Sequence, residues 1–262
     1  MKIGILGSSS ALGEALAKDL FETNNDVLSI GRNHSDYCQN TIFCDLNEPS
    51  QSERIFDKNL DVLVLISWIQ KPRNKTAMEK NFIAYSTIIE NAHKNNVKVI
   101  FISTLGTIGD CKSIHVYYKK LVENLLTTND QILRPATIYS DGKIIGKLAK
   151  SNKESVFYIK TNLRIPVVEL KNVIDAINKS LFSNVTINPN LIDKTVALTF
   201  PFSTDMPRYF LYIKSNVFNM VFNLLNLVKI SFVIDLVDSW YAISGLQESL
   251  TKLPNSSGLD SK

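Results

Sequence analysis

A chain of 262 residues, 45% of them hydrophobic, can bury one large core or one large domain with a small lobe. Its net charge of +4, from 29 basic and 25 acidic residues interspersed along the chain, speaks against a nucleic-acid surface, and Lys119-Lys120 apart there is no dense basic run. Three cysteines, Cys38, Cys44 and Cys111, carry no CxxC or His-rich spacing, so they read as reduced thiols of a cytosolic protein and not as a disulfide set or a metal site.

MKIGILG is too short an apolar run for a signal peptide and leads straight into a glycine turn. It reads as a first strand, Lys2–Leu6. Next comes a helical pattern over Ala11–Glu22, then strands over Asp26–Ile30 and Thr41–Cys44. A helix over Ser50–Phe56 leads to a strand over Asp61–Ile66, and a helix over Ala77–Asn95 to a strand over Lys98–Ser103. A helix over His115–Thr127 and a strand over Gln131–Leu133 follow. Several of these strands are uninterrupted Val, Ile and Leu, which suits strands covered on both faces. Strand-helix alternation of this kind predicts a Rossmann-like α/β fold, a doubly wound parallel sheet with a small C-terminal substrate lobe. After Pro135 the regularity weakens, with a short strand expected over Thr195–Phe200. The expected division is residues 1–135 as the nucleotide-binding domain, 136–253 as a mixed part forming the substrate lobe and returning in places to the sheet, and 254–262 as a frayed tail.

The first functional signal is IGILGSSSALGEALA. Gly7 can take backbone geometry closed to other residues, and Gly13 lets the helix pack closely on the strand. Backbone N–H groups at the helix start can face a pyrophosphate, so contacts are expected at Gly7, Ser9, Ser10, Leu12 and Gly13. The dinucleotide fingerprint has a further glycine where Ser10 stands. An ordinary tight turn is the plain alternative. LSIGRNHSD then places Arg32 at the end of the second strand, with no acid beside it. An arginine there favours a 2′-phosphate, hence NADP(H) over NAD(H); a solvated surface arginine is the alternative. Asp45 and Leu46, after the third strand, lie where an adenine edge would be met, or Asp45 caps a loop.

These residues, in this order, resemble the extended short-chain dehydrogenase/reductase family, which includes the sugar-nucleotide epimerases and dehydratases. The resemblance rests on GSSSALG, on GR and DL after strands two and three, and on Asn81 in KNFIAYSTIIENAHKNNVKVIFIST. It continues through FISTLGTIG, LRPATIYSDG, VVELKNVIDAI and SGLQESLTKL. It implies a Ser or Thr, a Tyr, and a Lys four residues after the Tyr as the reacting groups. The tyrosine serves as acid or base, and the lysine holds the nicotinamide ribose and lowers the tyrosine pKa. Thr104 takes the Ser/Thr place, with Ser103 its neighbour. Lys119 is the matching lysine, because Glu123 follows it by the family's four residues. The position four before it is His115, not tyrosine. Using Lys120 instead would pair it with Val116, which has no proton to give; Tyr117 and Lys120 could share a face as a fallback. His115 could exchange protons near neutral pH, or relay them through water, or merely pack. The resemblance also implies cofactor contacts at Asn81, Lys119, Arg134 and Pro135.

Two functions follow. The first is an NAD(P)-dependent oxidoreductase, epimerase or dehydratase acting on a sugar nucleotide or related small molecule, with polysaccharide precursor synthesis as a setting implied by the resemblance. Thr104, His115 and Lys119 would be its catalytic cluster. The second is a dinucleotide sensor or assembly subunit without turnover, which the missing tyrosine and altered glycine turn favour. Lys147, Lys150, Lys153 and Arg164 could meet a nucleotide diphosphate or form a solvated basic surface.

Near the C-terminus, SNVFNMVFNLLNLVK, Ser215 to Lys229, puts Asn216, Asn219, Asn223 and Asn226 on one helical face with apolar residues around the rest. It is shorter than the roughly 20 residues that cross a bilayer. A helix packed under the substrate lobe, a homodimer interface, or peripheral membrane contact would each use such a surface. Trp240 and Tyr241 read as core anchors. No metal is expected, and the expected setting is the cytoplasm, with membrane association through Ser215 to Lys229 left open.

Overall fold

The computed structural model describes residues 1–69, 74–140, 143–144, 157–183, 190–200 and 209–212, together with Ser249 and Lys252. The expected helix over Ser215 to Lys229, Trp240, Tyr241, Lys147, Lys150, Lys153 and the tail over 254–262 lie outside the described residues.

The first half alternates as its patterning dictates: β1 (Lys2–Leu6), α1 (Ala11–Glu22), β2 (Asp26–Gly31), β3 (Asn40–Phe43), α2 (Glu53–Phe56), β4 (Val62–Leu65), α3 (Lys75–Lys94), β5 (Lys98–Ile102), α4 (Ile114–Glu123) and β6 (Gln131–Pro135). The helix expected over Ser50–Phe56 is split. A 3-10 turn occupies Pro49–Ser52 before the α-turns of α2, with proline in its first turn, where the missing N–H costs nothing. Three returns from helix to strand use the same device. Asn24, Asn59 and Asn96 stand at φ 57°, 52° and 56°, the left-handed conformation asparagine tolerates better than other side chains.

Among the described residues, seven strands form one sheet in the order β10-β6-β5-β4-β1-β2-β3, where β10 is Asn190–Leu191. Its pairings are all parallel. Alternate residues feed two cores. Leu63, Leu65, Val99 and Phe101 face Tyr85, Ile88 and Val122 of α3 and α4. Val62, Val64, Ile100 and Ile3 face Leu16 and Leu20 of α1 and Val173 and Ile177 of α5 (Leu170–Phe182). Each fully buried aliphatic side chain contributes about 1.5–3 kcal/mol, so apolar burial on both faces holds the sheet between its helices.

The remaining strands build a second sheet. β9 (Phe157–Glu169) runs parallel to β7 (Thr137–Ser140) and antiparallel to β11 (Lys194–Phe200), with a register shift between Ala197 and Thr199. β8 (Lys143–Ile144) pairs with β7, and β12 (Tyr209–Tyr212) pairs with β9. Between β9 and β11 the chain passes through α5 and β10 in the first sheet, where Asn190 stands opposite Arg134 and Leu191 opposite Pro135. Polar ties fix α5, among them Asn172 donating to Asp193 at 2.9 Å. Lys98 donates to the carbonyls of Ser180 at 2.7 Å and Ser183 at 2.9 Å, and Asn178 donates to Asp19 of α1 at 2.7 Å. A cation on carbonyls at a helix C-terminus is also favoured by the helix dipole.

Candidate functional site

The strand order reverses between β1 and β4, so the loops that leave their carboxyl ends diverge and open a crevice. A cavity of about 440 Å³ occupies it. Its floor is Leu6, the last residue of β1, with Gly7 and Ser9 after it. Gly31, Arg32 and Asn33 after β2, and Asp45, Leu46 and Asn47 after β3, form one side. Ser67, Trp68 and Ile69 after β4, and Asn74, Thr76, Ala77 and Lys80 of α3 and its cap, form the other.

The floor depends on two glycines. Gly7 stands at φ +98°, and a Cβ there would lie 2.8 Å from the backbone nitrogen of Ser67. A Cβ on Gly13 would lie 2.1 Å from the Gly7 carbonyl oxygen, so α1 can reach the turn only without a side chain at that point. Ser10 sits at φ −79° and ψ 160°, ordinary extended geometry, which is why serine can replace the fingerprint's glycine. Its Oγ accepts from the Gly13 N–H at 3.1 Å and caps α1. Ser8 is buried, its hydroxyl bonded to that of Ser29 at 2.6 Å, which ties the turn to β2.

Charge is distributed on the side formed by β2 and β3. Arg32 is exposed at the end of β2. The Asp45 carboxylate accepts from the Asn47 backbone at 3.0 Å and the Asn47 amide at 2.9 Å. The Asn47 backbone N–H, then its amide, then the charge of Arg32 hold the Asp45 carboxyl below its usual range, against a partial desolvation that raises it. Cys44, on the same wall, is pushed up to about 11 by burial and by the Asp45 charge.

Gly7, Ser9, Arg32, Asp45 and Leu46 therefore meet around one cavity. Ser10, Leu12 and Gly13 stand behind them, Leu12 packed in the core with Leu16. The residues singled out by resemblance to the family's reacting groups lie elsewhere, and Thr104, His115, Lys119, Arg134 and Pro135 do not line the cavity. Thr104 is half-buried and starts a 3-10 turn over Leu105–Ile108, its carbonyl accepting from Thr107. Lys119 is 8% exposed and donates to the carbonyls of Ile102 at 2.8 Å and Ser103 at 3.2 Å. Burial lowers its pKa to about 8, against an opposing pull from Glu123. Arg134 is held by Glu123, through Nη2 at 2.7 Å and Nε at 3.0 Å. Asn81 is fully buried and uses its amide on the Ile69 backbone, accepting at 2.8 Å and donating at 3.1 Å. It thereby fixes the loop after β4 that edges the cavity. Tyr117 is exposed, while Tyr118 is buried against Phe82.

Sequence reasoning missed Ser67, Trp68, Thr76 and Lys80. The signal for Trp68 was its place directly after the strand beside β1. For Lys80 it was the helical spacing that puts it one turn beyond Thr76 and Ala77, on the crevice side of α3.

A family model, that of the NAD dependent epimerase/dehydratase family, matches residues 3–167. The chain belongs to this family. It is thus an extended short-chain dehydrogenase/reductase, and the histidine at 115 makes its reacting positions atypical. Compared with curated proteins, this epimerase/dehydratase-family chain has no match. Among solved structures it is similar to a hypothetical dTDP-4-dehydrorhamnose reductase from Sulfolobus tokodaii, at 18% identity and TM-score 0.64, over 81% of this chain and 86% of that one. It is similar to the Bordetella bronchiseptica enzyme WbmH in complex with NAD+, at 15% identity and TM-score 0.63, over 83% and 91%. It is also similar to a monomeric L-threonine 3-dehydrogenase from a metagenome, at 15% identity and TM-score 0.64, over 99% and 94%. At these identities the likeness establishes the fold. Among the described residues, no group of His, Cys, Asp or Glu could hold a metal ion, and no helix is long and apolar enough to cross a membrane.

Proposed function

We propose that the protein binds a nicotinamide adenine dinucleotide in the crevice between β1 and β4, with NADP(H) preferred over NAD(H). The observation that carries this is the cavity floored by Gly7 and edged by Arg32, at the switch point of a parallel sheet. Its residues fit the adenylate half of such a group. The glycine turn lets backbone N–H groups approach a pyrophosphate, and the start of α1 favours negative charge. Arg32, with Lys80 across the cavity, supplies positive charge for a 2′-phosphate. That WbmH was solved with NAD+ supports the same cofactor class.

When bound, the dinucleotide would supply hydride chemistry, in an oxidoreductase, epimerase or dehydratase reaction on a sugar nucleotide or a related small molecule. By the resemblance, Thr104, His115 and Lys119 would orient such a substrate and move its proton, from behind the wall of the cavity that they do not line, and the second sheet would be the substrate lobe. A different reading, a dinucleotide-binding protein without turnover, is favoured by the geometry of Lys119 and Arg134. Both cations are engaged by protein groups. Calorimetric titration with NADPH and NADH tests the binding. Tighter binding of NADPH supports the reading, and failure of both to bind refutes it.

A further inference from the structure

We infer that the Trp68 indole divides the crevice, admitting the adenosine diphosphate half of a dinucleotide and excluding the nicotinamide ring. This rests on the reading above of a dinucleotide-binding protein without turnover, since a nicotinamide ring kept out of the crevice passes no hydride there, and adds to it a residue that decides how much of the cofactor is held. Trp68 lines the cavity on one side. On the other it meets His115 edge-on, with ring centroids 5.7 Å apart and planes at 82°. The Lys119 ammonium lies 5.4 Å from the centre of the same indole, within cation–π range. One side chain thus forms the wall between the cavity and both His115 and Lys119, the lysine that by resemblance would hold the nicotinamide ribose.

The wall is built in. The indole is 6% exposed and packs against Tyr85 at 5.2 Å between centroids. Its N–H points at the Met78 sulfur at 3.4 Å. Tyr85 in turn donates its hydroxyl proton to the Ser67 carbonyl, which fixes the residue next to Trp68. Moving the ring would break these contacts and expose apolar surface. A nicotinamide ring entering this side would have to displace the indole, and its contacts would be offset by that loss. The dinucleotide should therefore bind no better than the same molecule without the ring.

The test compares Kd values by calorimetry for ADP-ribose against NAD+, and for 2′-phosphorylated ADP-ribose against NADP+, in the wild type and in Trp68→Ala. In the wild type each pair should agree within about threefold. In Trp68→Ala the dinucleotide should become at least tenfold tighter than its ring-free partner. If Trp68→Ala does not fold, Trp68→Leu, which keeps an apolar side chain against Met78 and Tyr85, is read the same way. A wild type that holds the dinucleotide more than tenfold tighter than its ring-free partner overturns the inference and leaves the dinucleotide reading standing. Equal effects of the substitution on both members of a pair also overturn it. Failure of all four molecules to bind overturns both.

Discussion

Arg134 at the end of β6 grips Glu123 at the end of α4 through two nitrogens, Nη2 at 2.7 Å and Nε at 3.0 Å. The same carboxylate accepts from Thr107 at 2.8 Å and from the Ser103 hydroxyl. Glu123, which the sequence offers as a marker of register, is therefore a clamp that joins α4, β6 and the turn after β5. Both partners are largely buried, at 20% and 9% side-chain exposure, so removing one leaves the other without its charge partner. Glu123→Ala should lower unfolding free energy by about 3 kcal/mol, measured by urea denaturation, and Glu123→Gln by less, since an amide still accepts from the hydroxyls.

Lys119 gives a pH signature. Its pKa falls from an ordinary 10.5 to about 8 because burial disfavours the charged form. Below about pH 8 both folded and unfolded chains carry the proton, and the folded protein bears the full cost of the buried charge. Between about pH 8 and 10.5 the folded protein has shed the proton and the unfolded chain has not, so stability rises with pH through this window. The relief amounts to about 3 kcal/mol on a lysine this buried. Lys119→Met removes it. Urea unfolding of both proteins across the window should show the wild type gaining on the variant as pH rises. A constant difference would mean that the lysine titrates normally.

The dinucleotide preference rests on Arg32. Arg32→Ala should weaken NADPH binding at least tenfold and change NADH binding less than threefold, measured by calorimetry, since one charge-assisted contact to a phosphate is worth about 1.5–3 kcal/mol. Equal losses for both cofactors would show that Arg32 does not read the 2′-position.

Gly13 tests the turn itself. A Cβ there meets the backbone oxygen of Gly7 at 2.1 Å, and a backbone atom cannot swing aside as a flexible side chain can. Gly13→Ala should force α1 away from β1, weaken nucleotide binding at least tenfold, and lower the melting temperature, as followed by circular dichroism.

The fold was legible because its signals are redundant. Strands such as VLVL over Val62–Leu65 are buried on both faces and read as unbroken apolar runs, and α1 begins at Ala11 as its pattern predicts, whereas α3, expected from Ala77, begins at Lys75 behind its Asn74 cap. That Gly7, Ser9, Arg32 and Asp45 come together was legible because glycine geometry and strand ends place them through the backbone. Side-chain direction was not. The spacing from His115 to Lys119 says that both lie on one helix face, but not that the Lys119 ammonium turns inward to two carbonyls. Likewise Trp68 comes just after the strand expected over Asp61–Ile66. That the indole would lie between the cavity and His115 depends on Met78 and Tyr85, which reach it from a separate helix.

The claim on which the rest depends is that a dinucleotide lies over the Gly7–Gly13 turn. Hydrogen–deuterium exchange with and without saturating NADPH tests it most directly. Slowed exchange is expected in segments 6–14, 31–33 and 44–47, the turn and strand ends around the cavity. Protection confined to other segments, or none at all, would contradict it.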